Sequence, residues 1–135
     1  MHVALFNERT NQAVATQVEI AATRRSRRRG LLGRDHLDEA AAMLLAPCTS
    51  VHTVGMRFPI DVVFVDRQGY AVKVVRNLPP WRIALSLGGS AVIEIPPAIC
   101  EKVAAQYQSH DSGRGAADWP AYLRMLDKID PSYRN

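Results

Sequence analysis

The stretch VHTVGMRFPIDVVFVD, residues 51–66, sets three groups capable of chemistry in one of the most apolar parts of the chain. His52 carries an imidazole, Arg57 a guanidinium and Asp61 a carboxylate. An ionised carboxylate is costly to bury unless a cation or several N–H donors meet it. The segment therefore predicts one of two roles. Asp61 forms a structural ion pair or fixes a loop backbone, or it lines a site where the planar fork of Arg57 binds an anion.

His52 allows two further kinds of chemistry, and both need partners. A nucleophilic pair with Cys48 is conceivable because a neighbouring imidazole can lower the pKa of a thiol, but no third group is evident to orient the ring. A metal site would need more ligands. The remaining candidate ligands stand far apart in sequence with no metal-binding or redox spacing: His2, His36, His110 and Cys100. We therefore expect no metal, no cofactor and reduced thiols.

Three other residues within this stretch have simpler interpretations. Met56 and Phe58 are typical core residues, and Thr53 is placed to satisfy the backbone beside Gly55. Glu94, in the apolar run SAVIEI, raises the same question as Asp61. Two acids in apolar strands could serve acid and base chemistry, but sequence spacing does not bring them together.

The positive charge of the chain is concentrated in one segment. The net charge is +4, and TRRSRRRGLLGR, residues 23–34, holds six arginines and no acid. Such a segment can be a solvated helix face, can dock on an acidic protein or ligand, or can bind nucleic acid. The recognised nucleic-acid modules also need an aromatic platform, a reading helix with a partner helix or a Gly-x-x-Gly clamp, and the sequence shows none.

The elements that must position these groups are mostly strands. Residues 13–20 alternate as a strand, Thr23 can cap a short helix that ends at Gly30 or Gly33, and residues 39–46 favour a strand ended by Pro47. Ile60 to Val65 alternates clearly, and the turn 66–69 should fold the next strand back as a hairpin. Pro79 and Pro80 begin an extended loop, and SAVIEI forms a further strand.

Helices are expected near the end of the chain. Pro97 suits the first turn of one, with apolar residues every four positions at Ile99, Val103 and Tyr107. Residues 109–117 resemble a linker, and Asp118 can cap a final helix. That helix would carry an apolar stripe of Trp119, Tyr122, Leu123, Leu126 and Ile129. The predicted fold is thus α+β and β-rich, with a curved antiparallel sheet, short peripheral helices and a C-terminal helix.

Length and composition indicate one folded domain. The chain has 135 residues, of which 47% are hydrophobic and 22% charged, so a single core is the expectation. The first residues contain no signal-peptide pattern and no window is long and apolar enough for a bilayer. We therefore expect a cytoplasmic protein, with a domain over 1–110 and a linker with an amphipathic helix over 111–135.

The order of these motifs resembles the DUF192 family, also called UPF0127. The resemblance runs from about residue 14 to about residue 104. It rests on RRGLLGRDHL, on CTSVHTVGMRFPIDVVFVDRQGYAVKVV and on AVIEIPPA. It implies a small single-domain β-rich fold with a barrel-like sheet and no established activity, cofactor or substrate.

The resemblance also singles out positions in this sequence. These are Arg29, Gly30 and Leu31 in the RGL element, Met56 and Arg57 in GMR, and Pro59, Ile60 and Asp61 in PID. Many relatives carry an aromatic pair, as in FWM, where this chain has HTVGM, so the resemblance assigns no shared chemistry to His52. Many relatives are also exported behind a leader, so their compartment can differ from the one expected here.

Together these observations predict a non-catalytic binding module for a small anionic ligand or for a peptide or protein partner with an acidic surface. The expected ligand-binding residues are Arg29, His52, Thr53, Met56, Arg57 and Asp61, with Arg29 and Arg57 gathered around Asp61. Two alternatives stay open. One is a nucleic-acid-associated protein using residues 24–34, and the other is a hydrolase using Cys48 and His52.

Overall fold

The computed structural model describes residues 3–7, 12–102 and 123–127. Strands dominate this part of the chain. In chain order the elements are β1 (Val3–Asn7), β2 (Gln12–Ala15), β3 (Gln17–Ala21), α1 (Arg24–Arg29), β4 (Ala41–Leu45), β5 (Ser50–His52), β6 (Ile60–Val65), β7 (Ala71–Leu78), β8 (Ile83–Leu85), β9 (Ala91–Ile95) and β10 (Leu123–Asp127). Residues 99–102 are also helical.

The described strands form three open sheets. The largest has the order β3-β4-β9-β6-β7, in which β3 and β4 are parallel and all other neighbours are antiparallel. A second sheet has the order β10-β1-β2, and β5 pairs with β8 in a third. The predicted β-rich α+β class is confirmed, but the large sheet is mixed rather than wholly antiparallel, and the described strands do not close into a barrel.

The central strand β6 explains why residues 60–65 read as a continuous apolar run. All six of its side chains are buried, as expected for a strand covered on both faces. Ile60, Val62 and Phe64 belong to one apolar cluster, and Val63 and Val65 belong to another. The alternation predicted from the sequence is confirmed.

Different parts of the chain cover the two faces of the large sheet. On one face, Leu5 and Ala15 of the three-stranded sheet pack beside Ile99 and Cys100. On the other face lie the β5–β8 pair and the connections before β4 and β6. This second face holds Leu31, Val51, Met56, Phe58 and Ala84. The large sheet is therefore the middle layer of three.

The hairpin between β6 and β7 forms as predicted. The Asp66 Oδ1 atom accepts hydrogen bonds from the backbone N–H groups of Gln68 and Tyr70, at 2.9 and 3.0 Å. Gly69 has φ of +88°. Glycine adopts this conformation with little steric strain because it has no Cβ atom. The carboxylate and the glycine together set the turn.

The strand predicted over residues 13–20 is interrupted. Thr16 separates β2 from β3, and these two strands belong to different sheets. The Thr16 and Gln17 N–H groups both donate to the carbonyl oxygen of Ala40, at 3.0 Å. The chain thus changes sheets at Thr16, which an uninterrupted alternating pattern does not reveal.

The predicted C-terminal helix is wrong over Leu123–Asp127. These residues form β10, which pairs antiparallel with β1 from Val3↔Asp127 to Asn7↔Leu123. Pairing satisfies the backbone groups along one edge of β1, and such tertiary pairing commonly overrides the helical preference of a short segment. The predicted linker 109–117 and the positions Val103, Tyr107, Trp119, Tyr122 and Ile129 lie outside the described residues.

Candidate functional site

Asp61 is buried, with 1% of its surface exposed, and backbone groups satisfy its carboxylate. The Oδ1 atom accepts a hydrogen bond from the Asn77 N–H at 2.7 Å, and Oδ2 accepts one from the Cys100 N–H at 2.9 Å. Asp61 therefore joins β6 to the end of β7 and to the helical segment after β9. The sequence predicted several roles for Asp61, and the structure shows the one in which its carboxylate fixes the backbone.

The expected cluster of Arg29 and Arg57 around Asp61 is not present. The Arg57 Nη1 atom lies 2.6 Å from the Asp35 Oδ1 atom, in an ion pair whose side chains are 61% and 75% exposed. Arg29 lines a different cavity, described below. The expectation was wrong because two backbone N–H groups supply the donors that the buried carboxylate needs.

Asp61 also borders a crevice of about 200 Å³, together with Arg76 and Glu101. Both of its oxygen atoms already accept backbone hydrogen bonds. Burial and the negative charge of Asp61 raise the pKa of the nearby Cys100 thiol, which disfavours its reactive thiolate form. This crevice is accordingly a weaker candidate for a ligand site than the cavity beneath α1.

Thr53 organises the loop that contains the Pro-Pro pair. Its hydroxyl group donates to the carbonyl oxygen of Pro79 at 2.6 Å and accepts from the Arg82 N–H at 2.9 Å. Its backbone N–H donates to the Arg82 carbonyl oxygen at 2.8 Å, and its carbonyl oxygen accepts from the Trp81 N–H at 3.0 Å. Thr53 is fully buried, and these contacts hold the loop in place.

A cavity of about 70 Å³ beneath α1 brings together three of the predicted ligand-binding residues: Arg29, His52 and Met56. Its lining also includes Arg27, Arg28, Gly30, Cys48 and Glu94. We call it the Glu94 cleft. Thr53, Arg57 and Asp61 do not line it.

Glu94 lies within the cleft on the inner face of β9. Its register partners on the neighbouring strands are Met43 and Val62, and both belong to the apolar cluster on that face. Only 3% of Glu94 is exposed. Among the described residues, none donates a hydrogen bond to its carboxyl group. Burial raises the pKa of Glu94 to about 7, so near neutral pH this group is partly a neutral acid that can donate a hydrogen bond.

Gly30 allows the backbone to pass close to this carboxyl group. It follows α1 with φ of +46°, and a Cβ atom there would lie 3.5 Å from the Glu94 Oε1 atom. A side chain at position 30 would be strained and would also fill part of the cleft. The RGL element, residues 29–31, is thus the part of the chain that passes over Glu94.

The local sequence explains why arginines stand at the rim. Thr23 and Ser26 form a capping box, in which the Ser26 N–H donates to the Thr23 hydroxyl group at 3.0 Å. The helix therefore begins at Arg24 as predicted, and its last turn consists of Arg27, Arg28 and Arg29. Cations are favourable at the C-terminal end of a helix. They give the opening of the cleft a positive charge.

Cys48 and His52 reach the cleft from β5 and the segment before it. The Cys48 thiol donates to the carbonyl oxygen of Ser50 at 2.9 Å, and His52 is exposed. The predicted nucleophilic pair is therefore not hydrogen-bonded in this arrangement. No group of three or more His, Cys, Asp or Glu residues in the described ranges could hold a metal ion.

Sequence reasoning identified Glu94 as unusual but did not assign it to the site, and it included Arg27 and Arg28 only in the alternative nucleic-acid segment, residues 24–34. An acid inside a buried-looking strand was the available signal. The approach of Gly30 to Glu94 depends on tertiary structure, which spacing along the chain does not encode. In the part of the chain that the structure describes, no helix has the length and apolar character needed to cross a bilayer.

Two solved structures share this fold. A protein of unknown function from Novosphingobium aromaticivorans DSM 12444 has a TM-score of 0.70 at 16% identity, with 93% of this chain and 84% of that chain covered. A candidate transcription regulator from Sinorhizobium meliloti 1021 has a TM-score of 0.71 at 18% identity, with 93% and 91% covered. At these identities the likeness concerns the fold.

Sequence comparison gives a family. No curated protein matches this sequence. The model of the DUF192 family, described as uncharacterized ACR, matches residues 6–109. That match includes the RGL element, the β6–β7 hairpin and Glu94, and it covers more than half of the chain. The chain therefore belongs to the DUF192 family.

Proposed function

We propose that this protein is a non-catalytic binding module whose Glu94 cleft takes a small anionic group, a carboxylate or a phosphate, carried by a small molecule or a partner protein. One observation carries the proposal. Glu94 is only 3% exposed, has no hydrogen-bond donor among the described residues, and lines a cavity whose rim holds Arg27, Arg28 and Arg29. Buried polar groups in proteins normally have partners, and an unpaired one calls for a ligand or a water molecule.

The charges favour an anion. Three guanidinium groups at the rim attract a negative group and can bind it through paired hydrogen bonds. At the floor, the protonated form of Glu94 donates a hydrogen bond to an anionic oxygen. Binding an anion beside Glu94 also disfavours its ionised form, so binding is coupled to proton uptake.

The size of the cleft limits what enters it. A volume of about 70 Å³ is enough for a carboxylate or a phosphate group. The rest of any larger ligand stays outside the cavity. The bound group is therefore the terminal or side-chain anion of a larger molecule, or a small free anion.

Hydrolysis by Cys48 and His52 has less support. Both residues line the cleft, but the thiol donates to Ser50 rather than to the imidazole. A cysteine nucleophile needs a base within hydrogen-bond reach or another group that stabilises the thiolate.

Nucleic-acid binding is the second candidate, because the arginines of α1 are exposed or half-buried. The structural neighbour from Sinorhizobium meliloti, a candidate transcription regulator, points the same way. Against it, α1 has six residues, which is short for a reading helix. Binding to duplex DNA would weaken steeply with added salt.

The test is calorimetric titration with inorganic phosphate, acetate and succinate. The double variant Arg28→Ala/Arg29→Ala removes two rim charges. The double variant Arg24→Ala/Arg25→Ala removes equal charge from the same helix at positions that do not line the cleft. We expect loss of binding in the first variant and retention in the second. Equal weakening of both would show unspecific attraction and refute the cleft as the site.

A second measurement tests the role of Glu94 in the cleft. The affinity for phosphate or succinate should fall as the pH rises through about 7, because Glu94 loses the proton that it donates. In Glu94→Gln the amide donates at every pH, so the part of this dependence that Glu94 contributes should disappear. Succinate is the control for the titration of phosphate itself. An unchanged pH dependence in Glu94→Gln would exclude Glu94 from the site.

A further inference from the structure

A row of exposed apolar side chains lies beside the Glu94 cleft. Four large hydrophobic residues within seven positions are exposed: Trp81 at 65%, Ile83 at 71%, Leu85 at 51% and Leu87 at 94%. Scattered exposed hydrophobics are ordinary, but a contiguous set on one surface is characteristic of an interaction site.

The register of the β5–β8 pair connects this row to the cleft. His52 lies opposite Ile83, and Ser50 lies opposite Leu85. Residues opposite each other in an antiparallel pair share a face, and these four are exposed while Val51 and Ala84 are buried beneath them. Ser50 and His52 also line the Glu94 cleft. The outer face of the pair therefore runs from Ile83 and Leu85, across Ser50 and His52, to the arginine rim.

The row is presented on a fixed backbone. Trp81 has φ of +67°, a strained conformation for a residue with a side chain, which persists only where surrounding contacts impose it. The hydrogen bonds of Thr53 to Pro79, Trp81 and Arg82 are those contacts. A pre-formed apolar surface loses little conformational entropy on binding, which is a property of binding hot spots.

The free edge of β8 is a less suitable docking site for a partner than the outer face of the β5–β8 pair. The Lys73 ammonium group donates to the Leu85 carbonyl oxygen at 2.7 Å, so that backbone acceptor already has a partner. Lysines on edge strands commonly prevent the addition of a further strand. Docking through side chains on the outer face is accordingly the arrangement that the contacts favour.

We propose that the outer face of the β5–β8 pair, with Trp81, is the docking surface for an acidic segment of a partner protein that also carries apolar side chains. The apolar side chains cover Trp81, Ile83 and Leu85, and a carboxylate enters the Glu94 cleft. The inference rests on the proposed function, since it names the carrier of the anionic group. Charge complementarity selects this occupant, because a second copy in a symmetric contact would set arginines against arginines.

The experiment is selection of random twelve-residue peptides displayed on phage against the immobilised full chain. We expect enriched peptides to combine Asp or Glu with aromatic or aliphatic residues. Synthetic versions should bind Ile83→Ser/Leu85→Ser at least about tenfold more weakly, the loss typical of interface anchors. Val72→Ser is the matched control, since Val72 is also an exposed apolar residue, 46% exposed, on β7, and it should bind normally. Exposed positions tolerate such changes with little loss of stability.

The outcomes separate this inference from the proposed function. Peptide binding that depends on Arg28 and Arg29 but not on Ile83 and Leu85 overturns the docking surface and leaves anion binding intact. Binding that depends on Ile83 and Leu85 alone, or enriched peptides without acidic residues, overturns the inference that this surface takes an acidic segment, while the calorimetric titration with small anions decides the proposed function separately. If sedimentation shows a dimer that Ile83→Ser/Leu85→Ser dissociates, the occupant of the surface is a second copy of the chain. If the chain binds phosphatidylserine vesicles in preference to peptides, the occupant is a membrane surface. Either result refutes the inference.

Discussion

Replacement of Glu94 by Gln should change the pH dependence of stability in a predictable direction. The pKa of Glu94 rises from its ordinary value of 4.5 to about 7 because the carboxyl group is buried. Between these pH values the folded chain keeps a proton that the unfolded chain releases. The free energy of unfolding therefore falls as the pH rises from about 4.5, and the loss is complete above about pH 7. Glu94→Gln removes this contribution.

The magnitude follows from linkage. At about 1.4 kcal/mol per pKa unit, the full penalty is roughly 3 kcal/mol, and about 2 to 3 kcal/mol of it develops between pH 5 and pH 8. Relative to Glu94→Gln, the natural chain should lose that amount over this interval. A pH-independent difference in stability between the buried amide and the neutral acid cancels when the change from pH 5 to pH 8 is compared. All other titrating groups are common to both proteins.

The assay is urea unfolding of both chains at pH 5 and pH 8, followed by circular dichroism, with equal m-values as the condition for comparison. A change below about 1 kcal/mol in the difference between the two proteins would mean that Glu94 ionises freely in the folded state. It would then have a water-filled or paired environment, and Glu94 would not be the unpaired acid that the proposed function requires.

Three further predictions concern the residues singled out by the sequence. Asp61→Ala leaves the buried N–H of Cys100 and the partly buried N–H of Asn77 without an acceptor and should lower the free energy of unfolding by about 2 to 4 kcal/mol, whereas Arg57→Ala, which breaks only an exposed ion pair, should cost less than about 1 kcal/mol. Similar losses in urea unfolding would contradict the contacts of Asp61. Thr53→Val should speed amide hydrogen exchange in the Pro-Pro loop, and unchanged exchange would show that the loop is held by other contacts. A thiol reagent should modify Cys48 in the native chain much faster than Cys100, which is 1% exposed; equal rates would mean that Cys100 is accessible.

The sequence predicted those elements whose signals are local. The Thr23 cap and the Asp66–Gly69 turn depend on side chains that bond within a few residues, and both formed as expected. The segment Leu123–Asp127 was predicted to be helical because its apolar spacing fits a helix. Its strand conformation depends on β1, which is distant in sequence and supplies the pairing edge.

The site was partly predictable for the same reason. The sequence pattern identified the arginine-rich segment and the two acids in apolar strands, Asp61 and Glu94. Sequence proximity suggested that Arg57 would meet Asp61, but the fold supplied backbone N–H groups from Asn77 and Cys100 instead. The closeness of Gly30 to Glu94 arises from the stacking of one layer on another, and no local pattern indicates it.

The connection between the parallel strands β3 and β4 contains both α1 and Gly30. The arginines occupy the exposed turns of this crossover, while Glu94 belongs to β9, two strands away from β3 in the sheet. Substitutions of these arginines can therefore alter the charge at the entrance without repacking the interior. Under the proposed function, surface substitutions alone would change which anions the protein prefers, and the acid beneath would keep its environment.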